Sequence, residues 1–504
     1  MRENTGKVVL VGAGPGDTGL LTLKGEKYIK QADCLVYDRL SSPQLLSMAK
    51  AGCELIYVGK ENHKHVMKQD AINELLYEKS KCHELVVRLK GGDPYVFGRG
   101  GEEALYLVER NVDVEVVPGV SSSVAALAAA GIPITHRGIA KGFQVITAHS
   151  RKDEEADIDY SLLTDETITC VFLMGLAHVK SIAAGLIKAG RRADTPAAVI
   201  SNGTLAAQRK CIGTLADIGE KIEKAKLTSP AIIVVGDVVS LNDRLDFFEK
   251  RPLFGRKITV PYIETMAGTN ELISKLQQLG ADITPVKTGI IKPIIIPDFI
   301  NKIKSADWIL FTSKNGVKSF FYNLNLAGAD IRLIANARFA VVGKATEKEL
   351  AKHHIKADLI PAEQTGKGLA EEVKFYMQDD YKLSNKKSKV CIFSAKEASP
   401  DLEAGLKGIC ELEKIDAYVN EQADESISES IGNSISEAVF TSASNVDRFF
   451  GMLPENTCVE TAYSIGEKTT AALEQYNVRE IVQADDSSYE ALVDKIYNKR
   501  VYKA

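Results

Sequence analysis

Along almost the whole chain, short runs of aliphatic and β-branched residues alternate with stretches long enough to be helices. Lys7–Val11, Cys34–Tyr37, Leu55–Val58, Leu85–Leu89 and Val114–Val117 read as strands, with Leu20–Gln31 and Val124–Ala130 as helices. Further strands are expected at Val145–Ile146, Thr169–Leu173, Ala197–Ile200 and Ala231–Val235. Strands interleaved with helices predict an α/β fold with substantial parallel pairing. A chain of 504 residues also exceeds what one core usually supports. Between Ser240 and Arg256 the sequence turns mixed in charge, with one proline and one glycine, and a strand restarts at Lys257–Pro261. We therefore expect one domain over 1–242, a linker over 243–256 and a second domain over 257–504.

Bulk properties remove several classes of function. Hydrophobic and charged fractions of 45% and 26% are ordinary for a globular protein. A formal charge of -4 gives no global attraction to nucleic acid or an anionic membrane. The eight cysteines form no C-x-x-C pair, and the N-terminus runs into a strand without a signal-peptide pattern. That usage suits a reducing compartment, so a cytoplasmic protein without a disulfide framework or metal knuckle is expected. No window approaches the roughly 20 apolar residues of a membrane helix.

The second half contains an internal echo. Phe311-Thr312-Ser313-Lys314-Asn315-Gly316-Val317 resembles Phe440-Thr441-Ser442-Ala443-Ser444-Asn445-Val446. Each copy is followed by a strand ending in glycine, with threonine three residues on: Gly343 and Thr346, then Gly466 and Thr469. Two copies read as two similar lobes. Where a strand opens into a helix through Ser, Thr or Asn, the hydroxyl caps the helix and free N–H groups bind anions. Ordinary capping and a carboxylate-binding cleft are both open at this point.

Two glycine-rich turns stand in the first half. Gly12-Ala13-Gly14-Pro15-Gly16-Asp17 is not a dinucleotide fingerprint, because Asp17 takes the third glycine position and Pro15 stiffens the loop. Lys90–Gly101 has five glycines in twelve residues, just past a strand, which suits close approach of a ligand to the backbone. Asp93 offers an acceptor there for an amine or a ribose hydroxyl.

These stretches, with Tyr37–Ser42 (YDRLSS), Val117–Ser123 (VVPGVSS) and Ala130–Arg137 (AGIPITHR), stand in the order seen in uroporphyrinogen-III C-methyltransferases. The resemblance spans about residues 5–240 and implies the tetrapyrrole methylase fold, two α/β lobes with S-adenosylmethionine (SAM) between them. It implies cofactor contacts at Pro15, Gly91, Gly92, Asp93, Val96, Ser121, Ser122, Met174 and Gly203. Many members have threonine-alanine where this chain has Ser121-Ser122, a change that backbone contacts survive. A proton acceptor is implied at Asp38 and a proton donor at Lys60. Both residue types suit a reaction that aligns an electrophilic methyl with a ring carbon and then removes a proton. Arg39, Lys60, Arg99, Arg137 and Lys141 are candidate partners for the substrate's carboxylates.

Residues 257–504 resemble uroporphyrinogen-III synthase through FTSKNGV, AVVGKATEKEL, VFTSASNV and SIGEKTTAAL. The expected arrangement is a second two-lobed α/β fold, lobe one about 257–290 plus 420–504 and lobe two about 291–419. The resemblance implies cofactor-free cyclisation of hydroxymethylbilane with inversion of the last ring. It puts Tyr418 where it assists loss of the hydroxyl group, and Thr312, Ser313, Ser442 and Thr469 along the cleft. The whole chain is then expected to be bifunctional: uroporphyrinogen III is made by one half and methylated twice by the other to precorrin-2, for siroheme or cobalamin. The related methyltransferases imply a homodimer, small-molecule tetrapyrrole partners, and no nucleic acid, membrane or metal. Three competing readings stand beside it: a methylase of a later corrin intermediate, a C-terminal half that only senses tetrapyrroles, and a nicotinamide enzyme using the first glycine turn.

Overall fold

The computed structural model describes residues 5–38, 43–46, 48–50, 52–59, 67–148, 157–265, 270–384, 387–423 and 434–499. The chain forms two compact units, one of 1–257 with 276–282 and one of 258–275 with 283–504.

The first unit holds two five-stranded sheets. Strands β1 (Lys7–Gly12), β2 (Cys34–Tyr37), β3 (Glu54–Tyr57), β4 (Leu85–Lys90) and β5 (Val114–Val117) form one sheet in the order β3-β2-β4-β1-β5. Every pairing in it is parallel. The consecutive aliphatics Val8, Val9, Leu10 and Val11 are all fully buried, as a parallel sheet covered on both faces requires. The other sheet contains β6 (Gly142–Thr147), β7 (Ile168–Leu173), β8 (Pro196–Ser201), β9 (Arg209–Thr214) and β10 (Ala231–Val235), in the order β6-β7-β10-β8-β9. Only β6 and β7 pair in parallel there; the remaining ladders are antiparallel.

Local chemistry moves one helix start from its expected place. The predicted helix over Leu20–Gln31 begins at Leu23, because the Thr22 hydroxyl caps it by accepting from the Gly25 amide. The preceding Thr18–Leu20 is a separate 3-10 turn capped by Asp17.

Residues 243–256, expected to be a linker, are instead packed against the first unit. Phe248 is 4% exposed and Leu253 fully buried, and Lys210 pairs with Asp246 at 2.7 Å. The mixed charge of this stretch conceals a small aromatic cluster, in which Phe248 meets Phe254 edge-on.

The second unit is built on one nine-stranded ladder rather than two separate sheets. Its strands are β11 (Lys257–Glu264), β12 (Asp282–Pro293), β13 (Trp308–Phe311), β14 (Arg338–Val341), β15 (Lys389–Ala395), β16 (Glu411–Gln422), β17 (Ser434–Phe440), β18 (Cys458–Ser464) and β19 (Val478–Gln483). The order is β14-β13-β15-β16-β12-β11-β17-β18-β19. The long strands β12 and β16 join the halves by antiparallel pairing of Gly289–Pro293 with Tyr418–Gln422. Each half has its own core: Phe311, Phe320 and Phe393 meet edge to face or tilted in one, and Phe440 with Phe449 lies in the other. None of the described helices is long and apolar enough to cross a membrane.

Candidate functional site

Because β1, β4 and β5 run in parallel, the loops after them emerge on one edge of the sheet, where α/β proteins place ligands. Three glycines let those loops touch. A Cβ on Gly12 would lie 2.5 Å from the Gly119 backbone and 2.7 Å from the Gly92 carbonyl oxygen. Gly14 and Gly92 bridge their strands, the Gly92 amide donating to Gly14 at 2.7 Å. The glycine-rich turn at Gly12 is therefore half of a junction whose other half is the loop beginning at Lys90.

Residues flanking this junction, Pro15 and Gly91 among them, line a cavity of about 250 Å³. Seven residues singled out in the sequence line it: Pro15, Asp38, Gly91, Val96, Ser122, Met174 and Gly203. The first four come from the parallel sheet's edge, the others from the helix Ser122–Ala129 and the second sheet's loops. Non-glycine residues with left-handed backbone cluster around it: Phe97 (φ 52), Met174 (φ 58), Asn202 (φ 50) and Thr204 (φ 71). Such conformations are unfavourable for side-chain-bearing residues and concentrate at binding sites. Met174 projects its side chain 49% exposed.

Gly92, Asp93 and Ser121, expected at the cofactor, adjoin the lining residues and make contacts within the protein. Asp93 accepts from the Tyr95 amide at 2.8 Å and the Gly119 amide at 3.0 Å. Its carboxylate thus ties the β4 and β5 loops together. The Ser121 hydroxyl caps a helix through the Ser123 amide at 3.3 Å. Lys60 and Arg39 lie outside the described residues. Arg99 is turned to Glu102, at 2.9 and 2.8 Å.

Three residues of this site had not been singled out. Arg88 and Lys90 alternate on β4 and are 3% and 4% exposed, and Glu103 is fully buried. Glu103 accepts from Lys90 Nζ at 2.8 Å, from Arg88 Nε at 3.4 Å and from Gln69 at 3.1 Å. Arg88 also reaches Asp38, at 3.3 Å. Burial, then Arg88, presses the Lys90 ammonium towards its neutral form, and Glu103 opposes this. Two cations at alternate positions of an otherwise aliphatic strand, VVRLK, were the signal: such groups are almost never buried without counter-charges.

In the second unit the repeated FTS segments have the same local structure. Ser313 caps its helix by accepting from Gly316, at 3.2 Å, and Ser442 does so from Asn445, at 3.3 Å. Gly343 and Gly466 occupy matching cap positions, followed by the buried Thr346 and Thr469. Tyr418 and Ser313 are brought together, their hydroxyls 2.9 Å apart, with the half-buried Thr312 beside them. Ser442 and Thr469 follow strands β17 and β18, across β12 and β11 in the sheet order. Asn445, fully enclosed, donates to the Pro261 carbonyl at 2.8 Å and accepts from the Thr288 hydroxyl.

Among the described residues, Cys34, Glu54 and His83 bring potential metal-ligand atoms within 4.8 Å. Glu54 is already paired with Lys79 at 2.5 Å and His83 at 2.9 Å, an arrangement balanced without an ion.

Residues 7–219 match the family described as Tetrapyrrole (Corrin/Porphyrin) Methylases, and residues 270–494 match Uroporphyrinogen-III synthase HemD. The "Porphyrin biosynthesis protein HemD" of Ruminiclostridium josui is 40% identical over 507 residues, covering 97% of each chain. The "Uroporphyrinogen-III C-methyltransferase" of Methanocaldococcus jannaschii is 51% identical over 241 residues, which are 47% of this chain and 99% of that one. The "S-adenosyl-L-methionine-dependent uroporphyrinogen III methyltransferase" of Methanosarcina barkeri is 49% identical over 246 residues, 49% of this chain and 96% of its own. With one relative matching from end to end and a different family model on each half, this chain belongs to the porphyrin biosynthesis proteins in which a tetrapyrrole methylase is fused to a uroporphyrinogen-III synthase.

Proposed function

We propose that the chain makes uroporphyrinogen III with its C-terminal half and methylates it with its N-terminal half. The synthase, over 257–504, closes hydroxymethylbilane with inversion of the last ring. The methyltransferase, over 1–242, transfers two methyl groups from SAM to give precorrin-2. The observation that carries the second step is the single cavity lined by Pro15, Gly91, Val96, Ser122, Met174 and Gly203, with Asp38 on its wall. Gly91, Gly98 and Gly203 in its lining admit a ligand against the backbone, and Val96 and Met174 offer apolar contact to a thioether or an adenine, so the residues present suit SAM.

SAM supplies an electrophilic methyl on a sulfonium. The chain's own work is alignment and proton removal. As a substrate carbon takes the methyl, the ring system becomes cationic, and Asp38 accepts the proton whose loss restores neutrality. Lys60 is the proton donor in this reading. Asp93 holds the two cavity loops at a fixed distance. In the synthase, the Tyr418 hydroxyl, steadied by Ser313, assists departure of the substrate's hydroxyl group. Thr312, Ser313, Ser442 and Thr469 supply hydroxyl and helix-terminal N–H contacts for substrate carboxylates.

The test is hydroxymethylbilane plus SAM with the purified chain, products resolved by mass and isomer. Uroporphyrinogen III followed by its mono- and dimethylated derivatives is expected. Uroporphyrinogen I alone refutes the synthase assignment, and absence of methylated product refutes the methyltransferase. A homodimer in the cytoplasm completes the proposal; sedimentation of the full chain tests the first part and cell fractionation the second.

A further inference from the structure

The groups behind the methylase cavity wall form a chain of alternating charge. Asp38 and Lys90 both line the cavity. Arg88 and Glu103 connect them from behind, Arg88 lying 3.3 Å from Asp38 and Glu103 2.8 Å from Lys90. Among these four groups two cations balance two carboxylates. Glu103 is the critical member because it is fully buried while one of its oxygens, Oε2, has no hydrogen-bond partner among the described residues. A buried carboxylate with an unmet oxygen is a costly element. Its service here is to compensate Lys90 on the cavity wall and Arg88 behind it.

That compensation bears on the ligand. SAM and its product S-adenosylhomocysteine differ by the methyl group on sulfur, whose transfer to the substrate carbon breaks the C–S bond, leaves the electron pair on sulfur and turns the sulfonium into a neutral thioether. A net positive wall repels the first and is indifferent to the second. Resting on the SAM reading above, we infer that Glu103, though outside the cavity, sets the ratio of the site's affinities for the charged methyl donor and its neutral product.

The experiment is calorimetric titration of the full-length protein with SAM and with S-adenosylhomocysteine, reading the ratio of the two dissociation constants. Glu103→Gln keeps the shape and leaves the wall with one excess positive charge. At about pH 6.5 we expect SAM to weaken about tenfold relative to S-adenosylhomocysteine, the scale of one unit charge acting over roughly 10 Å at an effective dielectric of about 20. Lys90→Met leaves an excess negative charge and moves the ratio the other way. The double variant returns it close to the wild-type value, since Arg88 and Asp38 alone balance. The charged groups facing Lys90 are Arg88 on its own strand, Asp38 beyond β2 and Glu103 from the helix Gly100–Val108. With Glu103 gone, Asp38 alone opposes the burial and Arg88 that press Lys90 towards its neutral form, so the Glu103→Gln penalty fades as pH rises and Lys90 loses its proton.

Ratios within about twofold of wild type in all three variants overturn the inference. So does movement of both single variants in the same direction, which is what a distorted pocket produces. If Glu103→Gln does not fold, Lys90→Met and the double variant still decide it by their relative order. A wild-type chain that binds neither ligand overturns the SAM reading itself, whereas tight binding with an unmoved ratio overturns only the role of Glu103.

Discussion

Gly12→Ala should damage the methylase site far more than a single methyl group suggests. The new Cβ would meet the Gly119 Cα and N at 2.5 Å and the Gly92 carbonyl oxygen at 2.7 Å. All three are backbone atoms, so no rotamer change relieves the clash. Opening 2.5 Å to an ordinary 3.4 Å contact requires the β1 and β5 loops to part by about 0.9 Å. Overpacking of this kind costs about 1–3 kcal/mol. The larger consequence is misalignment, since a displacement of about 1 Å lowers a positioned reaction roughly 100-fold. Initial rates of methyl transfer to uroporphyrinogen III, together with S-adenosylhomocysteine titration, read the effect. Stability of this unit has to be followed by circular dichroism, through the transition that S-adenosylhomocysteine shifts upward. The only tryptophan, Trp308, is buried in the other unit, and its fluorescence reports there. Gly101→Ala is the control: nothing lies within 4 Å of its Cβ position, and in a helix the change should stabilise by about 0.5–1 kcal/mol. Wild-type rate, affinity and stability in Gly12→Ala would refute the three-glycine junction as the site's organising contact.

Met174 carries a left-handed backbone, so Met174→Gly should be more stable than Met174→Ala by about 1 kcal/mol while both bind S-adenosylhomocysteine weakly; denaturant titration of the pair checks this, and the reverse order refutes the strain. Tyr418→Phe removes the hydroxyl 2.9 Å from Ser313 and should cost about 0.5–1.5 kcal/mol of stability with a roughly tenfold or greater loss of synthase rate. An unchanged rate would leave Tyr418 a core residue. Hydrogen bonds from Lys24, Lys7 and Tyr28 hold the Glu115 carboxyl down at about 2. A depressed carboxyl contributes stability that is present above its unfolded value of about 4.5 and lost as pH falls towards 2. Glu115→Gln should therefore flatten the acid dependence of the melting temperature in that window, and an identical slope would discount the cluster.

What was legible in the sequence is what local chemistry decides. β5 and β10 were read to the residue because β-branched runs declare themselves, and the two FTS segments were paired correctly because capping acts within three residues. Misreadings arose where the deciding partner lies far along the chain. Asp93 also ties two loops together, a role that only Gly119, 26 residues on, reveals. Lys90 hides in a strand whose pattern is otherwise aliphatic, and only Glu103 from the next helix explains its burial. The charged stretch 243–256 reads as a linker because composition does not reveal that Leu253 is fully enclosed. Lys60, an expected proton donor, falls outside the described residues.

The nine-stranded ladder also dictates an order of assembly. Strands β13 to β16 lie between residues 308 and 422, so that half of the sheet is complete once this contiguous stretch has left the ribosome. Strand β11 has β12 as an early neighbour on one side, but on the other it must wait for β17, whose Ala438 pairs with Thr259 in parallel. Contacts so distant in sequence form slowly, since a long loop must close before they give any return. During synthesis β11 therefore keeps one open edge, and its interior Pro261 lacks a backbone donor that a strand would otherwise offer to a neighbouring chain. A proline that interrupts the ladder in the finished protein thus guards the nascent one against pairing with the wrong partner.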